Sequence, residues 1–405
     1  MPDTPRRTYA DLFRTPEFSP LFLSSSANIA AQTVSGLALG TLVFRATESP
    51  LLSAVSMFGP ALAQVLGATF FLSGADRLPP RATLAGLSLS FAAATAALAL
   101  PGLPVWAMLV IVLVEGLIAS LGGGVRWGLL TEILAKDGYL TGRSLFNMMS
   151  GLMQIAGYAT GGVLVVLLSP RLCLLLAAGL YGTSAALALR LTRRPPRVAD
   201  RPSVRATWRA NSLLWSARPR RHVYLALWVP NGLVVGCESL FVSYDPRAAG
   251  TLFACGALGM LAGDVTIGRL LPARLRPRLG IPLLALLAAP YLVLFLRPPL
   301  PLTAVLVGLA SVGFGASLVQ QERLVTLTPD ELSGHALGLH SAGMLTMQGL
   351  AAVLAGTVAQ FTSPATAMSV MALASLTVTL TLTAASRRGA PDGGLLPTRA
   401  AVRSA

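Results

Sequence analysis

The chain has 405 residues, of which 54% are hydrophobic and only 12% charged, with a mean hydropathy of +0.68. A soluble domain carries about 25% charged residues, so this chain cannot cover a folded surface with polar groups; an ordinary soluble enzyme, a disordered chain and a nucleic-acid-binding domain are excluded. The formal net charge of +15 is almost wholly Arg, Lys136 being the single lysine among 31 basic residues, and these lie mostly between apolar runs, where a membrane protein places its topology markers.

A membrane-crossing helix needs about 20 mostly apolar residues. Twelve stretches qualify in chain order: 20–44, 51–74, 82–101, 105–125, 144–168, 171–190, 222–243, 249–270, 279–297, 302–320, 336–361 and 365–385. The first is too long for a signal-peptide core and runs on into a second apolar segment, so it is expected to be retained. Pro- and Gly-rich turns separate many of them: Glu48-Ser49-Pro50, Pro101-Gly102-Leu103-Pro104, Ser169-Pro170 and Pro298-Pro299-Leu300-Pro301. Only helices and closed barrels satisfy backbone groups in lipid, and runs of this length without alternation select helices. The fold class is therefore an all-α integral membrane protein with twelve spans. With the N-terminus in the cytoplasm, the inner segments hold 27 basic residues and the outer loops 4. That split predicts a multi-pass protein of the cytoplasmic membrane with both termini inside.

The longest inner connection, 190–221, contains ten Arg and one acid, Asp200, and separates six spans from six. The expected organisation is a six-helix bundle over 1–190, an Arg-rich linker over 191–221, a second bundle over 222–386 and a tail over 387–405. Val204, Trp208 and Trp215 among Arg205 and Arg209 suit an amphipathic helix on an anionic leaflet; a positively charged tether fits equally well. At an offset of 192, Arg77-Leu78 meets Arg269-Leu270 and Pro80 meets Pro272. The same offset brings Gly142, Leu145, Gly151 and Gly157 onto Gly334, Leu337, Gly343 and Gly349. Six is even, so the two halves are parallel repeats, a plan used by transporters with a site between the halves.

The chain resembles the major facilitator superfamily over essentially its whole length, and in style bacterial drug, macrolide and siderophore exporters. The resemblance rests on Leu12-Phe13-Arg14-Thr15-Pro16-Glu17-Phe18-Ser19-Pro20-Leu21-Phe22 at the entry to span one and Thr47-Glu48-Ser49-Pro50-Leu51 at the first outer turn. Gly74-Ala75-Asp76-Arg77-Leu78-Pro79-Pro80-Arg81 is similar to the loop G-x-L-A-D-R-x-G-R-R, with Leu72 and Pro79 in place of two of its glycines. Gly157-Tyr158-Ala159-Thr160-Gly161-Gly162 is similar to the antiporter pattern G-P-x-x-G-G, with Tyr158 in place of the proline. The fourth-span Arg of drug–proton antiporters has no counterpart; Glu115 occupies the middle of that span. The resemblance implies two parallel six-helix repeats and a secondary transporter of a small amphiphilic molecule, with export, a proton as coupling ion, membrane lipid as surroundings and a monomeric chain. An uptake permease for a small nutrient and a non-transporting receptor or scaffold remain open. A membrane-embedded enzyme is disfavoured, since no nucleophile–base constellation stands out. No nucleotide, cofactor or metal motif is present: there is no GxxxxGK[ST], HExxH or CxxC.

A charge near the bilayer centre costs about 2.5–3.5 kcal/mol, so each acid inside a span needs a reason. Glu115, in the middle of span four, suits proton uptake or a cationic substrate, against the alternative of a protonated packing contact. Glu238, in the outer half of span seven, suits substrate or proton binding, against an outer-gate contact. Asn28 and Gln32 share a face of span one; Asn147, Gly151, Gln154 and Tyr158 share one of span five; His340, Met344, Met347 and Gln348 share one of span eleven. These are cavity-wall candidates, with interhelical hydrogen bonding as the alternative. The resemblance implies a gating role for Asp76, with Arg77 and Arg81: Asp76 caps span eleven near Gly334 and Arg126 competes for it. Asp264, five residues before Arg269, reads as a snorkelling acid or a local ion pair at the equivalent place. Gly151, Gly157, Gly161 and Gly162 read as close helix packing. The abundance of Arg over Lys, with much Ala, Gly and Pro, suggests a GC-rich bacterial genome.

Overall fold

The computed structural model describes residues 9–75, 79–195, 204–272, 274–329 and 332–388. Among them twelve helices are long and apolar enough to cross a bilayer. They are α1 (Phe18–Thr47), α2 (Pro50–Ala68), α3 (Pro80–Leu98), α4 (Val105–Leu134), α5 (Thr141–Leu167) and α6 (Pro170–Ala188), then α7 (Arg218–Tyr244), α8 (Ala249–Leu270), α9 (Arg276–Leu296), α10 (Leu300–Thr326), α11 (His335–Phe361) and α12 (Pro364–Ala385). Each of the twelve apolar runs is thus a helix, and no strand occurs among the described residues. Proline opens α2, α3, α6 and α12, where its missing N–H costs nothing. Ser169 caps α6, its side chain accepting from the Leu172 N–H.

The fourth and fifth spans differ from the expected picture of two helices joined by a loop. Helical backbone runs without a break over Val105–Leu167. A straight helix of 1.5 Å rise would hold Trp127 and Phe146 about 28 Å apart, yet their ring centroids are 6.0 Å apart. The run therefore folds back on itself between them, leaving α4 and α5 as neighbours.

The two halves repeat each other's contacts. The α2–α4 crossing brings Gly67 onto the Leu117 backbone and Gly116 onto Pro60 and Ala63; the α8–α10 crossing brings Gly259 onto the Gly308 backbone and Gly308 toward Cys255. Gly67 and Gly259, Gly116 and Gly308, and Ala63 and Cys255 are each 192 residues apart, so the offset read from other residues returns at a pair of tight crossings. Small residues here let backbones approach where lipid gives no hydrophobic drive. Likewise α1 packs on α5 as α7 packs on α11, and α5 packs on α8 as α11 packs on α2; the last two pairs join the halves.

Between the halves lies a short helix, Val204–Ser216. It is docked rather than free: Leu214 is fully buried, and the Trp215 ring stacks on Trp228 of α7 at 5.6 Å. Trp208 remains exposed. This linker helix and the short helix Tyr9–Phe13 mark one face of the bundle, called here the basic face. On it Arg194 bridges Glu17 (2.9 Å) and Glu132 (3.2 Å). In the second half Arg276 at the start of α9 pairs with Glu322 and donates to the Gly268 carbonyl at 2.9 Å, closing the wide turn Thr266–Leu270 that ends α8.

Candidate functional site

A cavity of about 730 Å³ lies between the two halves. Its walls come from both: Asn28 and Gln32 of α1, Glu115 and Arg126 of α4 and Gln154 and Tyr158 of α5 face Glu238 of α7, Asp264 of α8 and His340 and Gln348 of α11. The i, i+4 spacing of Asn28/Gln32, Gln154/Tyr158 and His340/Met344/Gln348 puts each set on one helix face, and that face is the cavity wall.

The far face is sealed by direct contact between the halves. Gly162 of α5 and Gly250 of α8 meet backbone to backbone, so neither position has room for a side chain. One turn inward, Tyr158 stacks on Phe253 with centroids 4.6 Å apart. Gly356 of α11 lies on the Leu51 backbone of α2, and Ser49 donates to Gln360 at 2.7 Å. Toward the basic face the same α5–α8 pair is spanned by a long side chain, Arg269 reaching the Met148 sulfur at 3.5 Å, and Asp264 on the cavity wall is exposed. The cavity opens to the basic face.

Glu115 accepts a hydrogen bond from Thr95 of α3 at 3.5 Å. Phe91 and Tyr181, with centroids 5.5 Å apart, line the wall beside it. Glu238 lies on the second-half wall beside Gly256 of α8, on the cavity that Tyr158 also lines. Among the described residues neither carboxyl has an Arg or His in ion-pair contact. A hydroxyl cluster joins the walls of the first half: Ser184 of α6 donates to the Ser24 carbonyl at 2.9 Å and meets the Ser88 hydroxyl at 3.1 Å. In the second half Asn231 of α7 donates to Ser317 of α10 at 3.3 Å.

Several expectations are corrected. Asp264 and Arg269 form no ion pair: Asp264 faces the cavity while Arg269, within the wide turn that ends α8, reaches α5. Gly151 is not a packing glycine, since a side chain there would meet open space. Gly157 lies tight on Thr33 and Gly162 on Gly250, while Gly161 is at ordinary van der Waals distance from Val34. Met347 leaves the cavity face and packs on Gly232 of α7. Arg81 lies in the first turn of α3 and is not among the lining residues. Asp76 and Arg77, with their expected contact to α11, lie outside the described residues, as do the Asn147 side chain and the tail 389–405. Sequence reasoning missed Gln64, Thr95, Tyr181, Ser317 and Gln321, all on the wall. Gln64 and Gln321 carried a readable signal, since each is an amide inside or at the end of an apolar run. Among the described residues no three His, Cys, Asp or Glu converge as metal ligands.

Twelve spans in two like-oriented repeats around a one-side-open cavity define a membrane transporter of the alternating-access type. The sequence profile described as Major Facilitator Superfamily matches residues 21–321, and the chain belongs to that family. No curated protein matches the chain. Among solved structures, a point mutant of the nucleoside transporter NupG is similar at a TM-score of 0.75 and 15% identity, over 90% of this chain and 98% of that one. A POT family transporter in complex with a thioalcohol-conjugated peptide gives 0.70 and 10%, over 91% and 96%. The peptide transporter POT in complex with sulfate gives 0.67 and 15%, over 95% and 96%. At such identities the likeness shows the fold alone.

Proposed function

We propose that this chain is a proton-coupled secondary exporter of a small amphiphilic compound, working by rocking of the two halves about the central cavity. The observation that carries this reading is the pair of carboxyls, Glu115 and Glu238, on opposite halves of one cavity that is sealed on the far face. The 27 to 4 distribution of basic residues makes the basic face cytoplasmic, so this form is inward-open and ready to load from the cell. Glu115 takes up a proton in exchange for substrate, and the membrane potential adds about 2.3 kcal/mol per 100 mV for each charge moved. Arg126, on the same cavity wall, and Asp264 act at the inner rim as the gate closes.

The test is transport into inverted vesicles with a panel of dyes and antibiotics under an imposed pH gradient. Accumulation that collapses with the gradient and is abolished by Glu115→Gln supports the reading; accumulation indifferent to the gradient overturns it. A second reading, uptake of a polar nutrient, draws on the wall itself: Gln64, Gln154, Gln321 and Gln348 make it more polar than the few acids and amides singled out from sequence. Right-side-out vesicles offered nucleosides or short peptides in the outside medium distinguish the two, since only the uptake reading predicts their accumulation.

A further inference from the structure

The cavity is not confined to the seam between the halves. Among the described residues, its second-half walls come from α7, α8, α10 and α11 alone. In the first half it reaches beyond α1 and α4 to the peripheral pair α3 and α6, whose Ser88, Phe91, Thr95, Tyr181 and Ser184 line it. This arm occupies the level between two apolar clusters. One, with Val112 of α4, lies toward the far face; the other, with Leu129 of α4, lies toward the basic face; each also takes residues from α1, α3 and α6. Glu115 stands at that level and its bond is to Thr95 of α3, so the carboxyl faces the inside of its own bundle. Of the helices around it, α1, α2 and α3 carry no titratable side chain between their end turns, and α6 carries only Tyr181. Arg126 lies on the same face of α4 but eleven residues away, about three turns.

The arm is narrow. Ser24, Ser88 and Ser184 line it, yet none is more than 6% exposed. Their hydroxyls pair with one another and with the Ser24 and Ser184 carbonyls. A hydroxyl both donates and accepts, so such a row passes a proton and excludes a molecule of substrate size. Gly122 and Gly123 of α4 line the cavity as well, and a side chain at Gly123 would meet nothing within 4 Å, which keeps the arm continuous with the chamber between the halves. A carboxyl inside a bundle core, with no cation in contact among the described residues, is sustained by water or by a proton. We propose that the arm is a hydrated proton compartment within the first half, that Glu115 binds its proton there, and that substrate in the chamber between the halves does not touch it. A hydronium arriving along the arm gives its proton to a Glu115 carboxylate oxygen and leaves as water. This rests on the reading of the chain as a proton-coupled transporter and sharpens it: proton and substrate act on each other through the packing of the first half and do not compete for one carboxyl.

The experiment reads access and proton exchange, not transport. In the purified full chain with its three native cysteines replaced, Ser88→Cys is expected to react with methyl methanethiosulfonate but not with a biotin maleimide, whereas Gln348→Cys on the chamber wall reacts with both. Infrared difference spectra against Glu115→Gln assign the carbonyl band of protonated Glu115, and its hydrogen–deuterium exchange is followed after each modification. The methylthio group added at position 88 should slow exchange at least tenfold, while the maleimide on Gln348→Cys leaves it within twofold. Ser184→Cys carries the same test if Ser88→Cys does not fold. An arm thiol that takes both reagents or neither overturns the compartment. So does a Glu115 band that never appears as the pH falls, exchange untouched by the arm adduct, or exchange slowed as much from the chamber. Exchange through the arm in a chain that moves no solute keeps the compartment and removes the transporter; proton-driven solute movement with the arm unreactive does the reverse.

Discussion

In the first half, α1, α3, α4 and α6 each interrupt their buried apolar face at one level. Leu21 and Val34 flank Ser24 and Asn28; Ala85 and Leu98 flank Ser88 and Thr95; Val112 and Leu129 flank Glu115; Ala177 and Ala188 flank Ser184. The apolar core is thereby split into two clusters, one toward each face, with a polar waist between. In the second half a larger core runs from Leu233 and Phe241 through Leu287 and Tyr291 to Ala372, a smaller cluster of Leu214, Val223, Tyr224, Leu227, Leu324 and Ala336 lies apart from it, and buried Asn231 stands between the two on α7, the most enclosed span of the bundle. The comparison teaches that both halves break their apolar packing with polar groups, and that they differ in degree: the second half keeps one large cluster around α7, while in the first the two clusters are of similar size with hydroxyls from three helices meeting between them. Packed interiors transmit strain as a unit, and hydroxyl pairs between helices are individually weak.

The largest expected effect comes from breaking the seal at which the halves meet. Gly162→Leu cannot coexist with Gly250 at its present position. It should drive the bundle away from the form closed at the far face and cut transport at least tenfold, the consequence of about 1.4 kcal/mol of differential strain. Spin labels on Val166→Cys and Thr251→Cys, in a chain whose three native cysteines are replaced, should move apart; an unchanged separation would refute the seal.

The contrast in cores predicts unequal stability losses. Leu287→Ala in the large second-half cluster should fall toward the upper end of the range of about 2–5 kcal/mol for buried Leu→Ala, and Leu98→Ala in the smaller first-half cluster toward the lower. Thermal melts of the two purified variants rank them; equal shifts would erase the distinction. Within the waist, Ser184→Ala removes the side-chain bonds to Ser24 and Ser88, leaving the Ser24 hydroxyl its bond to the residue 184 carbonyl. At about 0.6 kcal/mol for each interhelical bond, its melt should shift by little while its transport kinetics change more, and a large melt with unaltered transport would argue against an adaptable waist. Smallest of all is Arg194→Met: its bridge to Glu17 and Glu132 is partly exposed, and such pairs contribute about 0–1 kcal/mol. High salt should mask even that difference in melting.

Much of this was legible in the sequence. Every span was, because about 20 apolar residues in a row have no other stable use. Glu115 and Glu238 were, because a lone acid in such a run is costly without a reason. The end of α4 was misplaced at residue 125, since Arg126 looks like a membrane-edge marker; the helix continues to Leu134 and Arg126 faces the cavity. A charge beside an aqueous cavity is not subject to the lipid penalty that makes charges reliable boundaries. The ring contacts behind the seal were illegible for a related reason: Phe241 and Phe253 have the same composition signature whether they face lipid or core, and only their partners on other helices place them in the core. Gly67/Gly259 and Gly116/Gly308 were readable at the offset already found, but glycine is too common here to be singled out without the crossings.

The unbroken fold-back of Val105–Leu167 has a mechanical corollary. Its first limb carries Glu115 and its second carries Tyr158 and Gly162. Because the run reverses direction between Trp127 and Phe146, it must bend there, so the wall carboxyl and the far-face contact sit on two limbs joined by a hinge in one helical stretch rather than on two helices joined by an extended loop.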